Sequence, residues 1–161
     1  MPKKKTVERA RQAAREGKAP TTQAGEFVRE EIEDIRHGKH GARSTKQAIA
    51  IGLSKARRAG VRLPPPKKGT VSDETLRKAK REYVIGSSAS RKSTSPKRAR
   101  ATIKALKRES RAPVSKEALS EQARSTAHRR SAGDKSLAAK KAARTRARNN
   151  QKRSVARTEG L

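Results

Sequence analysis

A chain of 161 residues with 44 Lys and Arg against 15 Asp and Glu carries a net charge of +29, and self-repulsion on that scale opposes compaction unless a polyanion neutralises it. Leu, Ile, Val and Phe together number 21, about 13% of the chain and below the roughly 20% under which highly charged sequences tend to be disordered, which excludes a large single core. With no cysteine there is neither a disulfide framework nor a thiolate metal site, and the two aromatic residues, Phe27 and Tyr83, cannot build the base-stacking surface of an RNA-recognition sheet.

The start Met1-Pro2-Lys3-Lys4-Lys5 is basic but is followed by no apolar run, so neither a secretory signal nor a membrane span is expected. Residues 4–16 read as a short basic helix within a segment 1–20, capped by Thr6, with Val7, Ala10 and Ala14 on one side and Gly17 ending it. From Thr22 to Arg36, Ala24, Phe27, Val28, Ile32 and Ile35 follow helical spacing, and Glu26, Glu30, Glu31, Glu33 and Asp34 occupy other positions. This acidic helix would repel DNA and is expected to face protein or solvent.

Seven residues, His37 to Arg43, lead to Ser44-Thr45-Lys46-Gln47, which has capping-box spacing. A third helix follows with Ala48, Ile49, Ile51, Leu53 and Ala56 and stops at Gly60, although Gly52 in its middle costs up to about 1 kcal/mol relative to Ala. The two helices make an antiparallel hairpin, with Leu63-Pro64-Pro65-Pro66 as a stiff spacer closing a module over 21–66. In 67–86, Ser72 caps a short amphipathic helix whose Leu76, Ala79 and Tyr83 share a face before Gly86.

Residues 87–161 read as a basic tail, net +17 against +12 for residues 1–86. Its Ser-rich start, 87–95, is linker-like. Ser95 and Pro96 can open a helix with Ala99, Ile103 and Leu106 on one line; Pro113 breaks it; Val114, Ser115 and Leu119 start another that Gly133 ends; Asp134 caps a last Ala/Lys/Arg stretch with nothing to pack against. The expected class is all-α: a helical hairpin plus isolated helices, without a single compact core, and with a largely disordered basic tail that gains helix over 96–111 and 135–153 on binding.

The expected partner is nucleic acid, DNA ahead of RNA. The cations assigned to it are Lys97, Arg98, Arg100, Lys104, Lys107, Arg108, Lys140, Lys141, Arg144, Arg146, Arg148, Lys152 and Arg153. Those of the last helix are spread around its axis, which suits phosphates more than base edges. Lys39, Arg43 and Lys46 beside the helix start at Ser44 are a candidate phosphate contact, although an ordinary Gly-rich interhelical loop is the favoured reading of this stretch. A helix-turn-helix with Thr45, Lys46 and Gln47 in the major groove meets a loop longer than the usual three or four residues. His37, His40 and His128 lack the carboxylates or thiolates that complete a metal site, and no cofactor motif or paired catalytic constellation is visible, so no metal, cofactor or enzymatic activity is expected.

Ser95-Pro96-Lys97-Arg98 and the stretch Ala138 to Arg148 resemble linker-histone tails, which implies histone-like binding with minor-groove contact from Lys97 and Arg98. Gly38 to Gly60 resembles a module of small basic bacterial proteins of uncharacterised function, which implies a bacterial origin and no particular activity; Ala42 to Gln47 resembles a short piece of a core-histone tail. These residues lead to an expectation of a cytoplasmic, nucleoid-associated protein that binds duplex DNA with little sequence preference. The alternatives are an RNA-binding or ribosome-associated protein, and a phage or plasmid adaptor whose 21–60 hairpin binds a protein partner.

Overall fold

The computed structural model describes residues 2–88 and 95–158, and for Lys152, Arg153, Ala156, Arg157 and Thr158 the backbone alone. The linker-like residues 89–94 lie outside the described residues. The class is all-α: helices α1 (Lys4–Arg15), α2 (Pro20–Arg36), α3 (Thr45–Arg58), α4 (Asp73–Ser87), α5 (Pro96–Leu106), α6 (Lys116–His128) and α7 (Ala132–Thr158), with a 3-10 turn at Ala112–Val114 and no strand among the described residues. Two compact units divide the chain, Met1–Ser120 and Glu121–Leu161.

In the first unit α2 pairs with α3, α1 lies against α2, and α4 against α3. Helix α2 starts at Pro20, whose missing N–H costs nothing at a first helical position, and buries Ala24, Phe27 and Ile35 as the 3.6-residue period requires. Ser44 Oγ accepts the Gln47 N–H at 3.2 Å, and Gln47 Oε1 accepts the Arg43 N–H at 2.6 Å, so the cap of α3 forms from both ends. Gly38 (φ 75°) and Gly60 (φ 95°) supply the left-handed residues that stop α2 and α3.

Two small apolar clusters replace one core. Ala10, Ala24, Phe27, Ala56, Val61 and Leu63 form the first; Ile35, Ala42, Ala48 and Val114 form the second. Alanine makes up half of each, so backbones approach closely. At the crossing of α2 and α3, a Cβ on Gly52 would lie 2.7 Å from Val28 Cα, which accounts for a glycine where helix propensity disfavours it.

Several local expectations are corrected. Thr6 does not cap α1: it sits inside the helix, buried, and the capping position is Lys3. Ala13, not Ala14, joins Ala10 in the buried face of α1. Gly86 does not end α4 but lies within it, pressed on the Arg57 carbonyl where no side chain fits. Gly133 lies inside α7, and the cap of that helix is Ser131, whose hydroxyl accepts the Asp134 N–H at 3.1 Å and donates to Asp134 Oδ2 at 2.8 Å. Asp134 remains in the first turn, where a carboxylate suits the helix dipole.

Leu63 is buried and the Arg57 guanidinium donates to the Leu63 and Pro64 carbonyls at 3.3 and 3.4 Å, so the proline run is strapped to α3 rather than free. The compact unit that holds the hairpin continues through the first part of the basic tail to Ser120. Its residues 106–115 return to the hairpin through Val114, a pairing that no local pattern announces.

Candidate nucleic-acid interface

Helix α5 carries Lys97, Arg98, Arg100 and Lys104, with Lys107 as its C-cap and Arg108 just beyond; all six are exposed, and there is no acid within the helix. Ile103 on the same helix is 48% exposed. In the second unit, α7 is 27 residues long, about 40 Å at 1.5 Å per residue, with nine Lys and Arg against the single Asp134. Lys140, Lys141, Arg144, Arg146 and Arg148 are exposed, as is every residue of α7 whose side chain is described. The side chains of Lys152 and Arg153 lie outside the described residues. Lys140 to Arg144, Lys141 to Arg144 and Arg144 to Arg148 repel at helical spacings of three or four, each by a few tenths of a kcal/mol.

The candidate phosphate contact near Ser44 is arranged differently. Lys39 Nζ lies 2.7 Å from Asp34 Oδ1, and Arg43 lies 3.6 Å from Glu109, so two of its three cations face carboxylates of this chain while Lys46 is exposed. Thr45 Oγ1 donates to the Pro113 carbonyl at 2.7 Å, and Gln47 is held by Arg43, which turns two of the three proposed base-reading residues inward. His37 and His40 turn Nδ1 toward the backbone carbonyls of Glu33 and Gly41, at 2.7 and 3.0 Å, and His128 belongs to the other unit. Among the described residues no group of three or more His, Asp or Glu is placed to hold a metal.

The acids of α2 are the feature that sequence reasoning misplaced most. Glu30, Glu31 and Asp34 are buried. Lys3 donates its backbone N–H to both Glu30 oxygens at 3.2 Å, which sets that carboxylate at the N-terminus of α1, and its ammonium reaches Asp34 Oδ1 at 2.9 Å. Lys55 Nζ stands 2.5 Å from Glu31 Oε2 and His40 Nε2 3.4 Å from Oε1, yet neither oxygen has an aligned hydrogen bond. Burial pushes the Asp34 carboxyl up, but the Lys39 and Lys3 ammonium groups outweigh it and hold it below its ordinary value; the Asp34 hydrogen bond raises Lys3 in turn. Burial lowers Arg57 against the opposing pull of Glu82. The acidic helix thus faces cations of its own chain, and of its five acids only Glu33 is exposed.

Residues 3–68 match a family of unknown function, DUF6496. The match covers α1, α2, α3 and the strapped proline run, and leaves α4 to α7 outside it. No curated protein and no solved structure matches the chain. Among the described residues no helix is long and apolar enough to cross a membrane.

Proposed function

We propose that the protein binds duplex DNA without catalysing a reaction, in a largely sequence-independent, histone-like manner that places it on the nucleoid and condenses the duplex. The observation that carries this reading is α7: nine cations to one acid on a helix with no buried side chain among those described. Such a helix lacks an apolar face through which a folded domain could hold it, whereas phosphates would relieve its internal repulsion. Its length of about 40 Å is near the 34–36 Å of one turn of duplex, and cations around its whole circumference favour backbone contact over base readout. Helix α5 offers a second, shorter set of the same kind.

The test is competition between unrelated duplex DNAs and structured RNA at physiological salt. Similar affinity for all duplexes, falling steeply as salt rises, is the expected result. A single site bound about 1000-fold more tightly than random DNA would replace the nonspecific reading, and displacement of DNA by RNA would favour an RNA-binding or ribosome-associated role.

A further inference from the structure

The contact of residues 106–115 with the hairpin has the form of a receptor and its ligand. The hairpin supplies donors and a pocket: the Gly41 and Ala42 N–H groups donate to the carbonyls of Leu106 and Ser110 at 2.8 and 2.9 Å, Thr45 Oγ1 to that of Pro113 at 2.7 Å, and Arg36 Nε to that of Val114 at 3.0 Å. The returning segment supplies four backbone carbonyls and one buried side chain. Val114 is 1% exposed among Ile35, Ala42 and Ala48, with Ile32 packed against them.

Every donor in this contact lies within residues 36–45, and every acceptor within 106–114. Backbone acceptors carry little sequence information, so recognition falls on side chains: proline presets the turn, valine fills the pocket, and the Glu109 carboxylate faces Arg43 at 3.6 Å on the exposed rim. Gly41 is part of the receptor, since any side chain there would run into the Glu109 carbonyl. The receptor residues fall inside the family-matched segment 3–68 and the ligand residues outside it.

We propose that the loop-and-helix face formed by Arg36, Gly41, Ala42 and Thr45 over the Ile35–Ala48 pocket is a peptide-docking site for a Pro-Val segment, filled in this chain by its own residues 106–115. Docking of this kind clips α5 to the hairpin. None of the residues in this contact belongs to the cations of α5 and α7.

Residues 89–94 give a place to cut the full chain. With a protease recognition sequence substituted there, cleavage of the folded, nuclease-treated protein in about 0.5 M salt, where exposed charges are largely screened, should leave the two fragments co-eluting. Excess synthetic peptide of residues 104–117 should release the C-terminal fragment, and the same peptide with Val114→Asp should not. In the cleavable protein Val114→Asp should abolish co-elution; where that variant fails to fold, Thr45→Val and Arg36→Ala should each weaken it. Fragments that separate without mutation, or that the valine and aspartate peptides release equally, would overturn the docking site.

Discussion

The Lys55 ammonium stands 2.5 Å from Glu31 Oε2, yet Lys55 keeps 24% of its side chain exposed while Glu31 keeps none. The pair is therefore asymmetric. Deleting the lysine leaves a carboxylate that water cannot reach with, among the described residues, only His40 Nε2 beside it, at 3.4 Å, whereas deleting the carboxylate frees an ammonium that can turn to solvent. Lys55→Met should lose about 3–5 kcal/mol in urea denaturation, and Glu31→Gln about 1–3 kcal/mol. The reverse order would mean that desolvation of Glu31 does not dominate the pair.

Acid should loosen the first unit through Asp34. Its folded carboxyl is held below the ordinary value of 3.8, so the folded state binds the proton less readily than the unfolded state. That contribution is fully present above the unfolded value and is lost as pH falls through the folded one. Asp34→Asn should lower stability at neutral pH and flatten the acid limb of a stability-versus-pH curve; an acid limb unchanged from the parent would place the proton linkage elsewhere.

Replacing a helical glycine by alanine ordinarily stabilises a helix by roughly 0.5–1 kcal/mol. Gly25→Ala should do so, because nothing lies within 4 Å of the added methyl. Gly52→Ala should instead destabilise by about 1–3 kcal/mol, since the methyl would meet Val28 Cα at 2.7 Å and force α2 and α3 apart. Thermal unfolding of the two variants should therefore shift in opposite directions; a gain at both sites would show that the crossing can relax.

Charge removal on α7 should act on every duplex alike. Lys140, Lys141, Arg144, Arg146 and Arg148 changed together to Gln should weaken binding of unrelated sequences to the same extent and lower the salt slope by about 0.9 for each phosphate no longer neutralised. Fluorescence anisotropy across a salt series measures both quantities. An unchanged slope would move the phosphate-binding cations to α5 or to the first unit.

Binding should also raise the helix content of the tail. Phosphates that neutralise Lys and Arg remove the repulsion between Lys140, Arg144 and Arg148, so circular dichroism of a residue 87–161 fragment should gain helical signal as duplex is added at low salt and lose it at high salt. A spectrum unchanged at saturation would mean that the tail binds without ordering.

What the sequence determined alone were the features governed by a few neighbouring residues. The period of Ala24, Phe27 and Ile35 marked α2, Ser44 and Ser72 marked the starts of α3 and α4, Gly17 and Gly60 stood where α1 and α3 stop, and the excess of cations beyond residue 86 was a matter of counting. Where two local devices competed, at Ser131 and Asp134, the local reading chose the wrong one, because both residue types cap and only geometry separates them. Tertiary structure decided which charges meet and which carbonyls are shared. Lys3 reaches Asp34 across 31 positions and Arg36 reaches Val114 across 78. A run of five acids reads the same whether it faces solvent, a partner or the chain's own lysines. The enclosure of Glu31, the alanine-lined crossing at Gly52 and the return of Pro113-Val114 to the hairpin come from packing between distant segments, which periodicity and capping cannot encode.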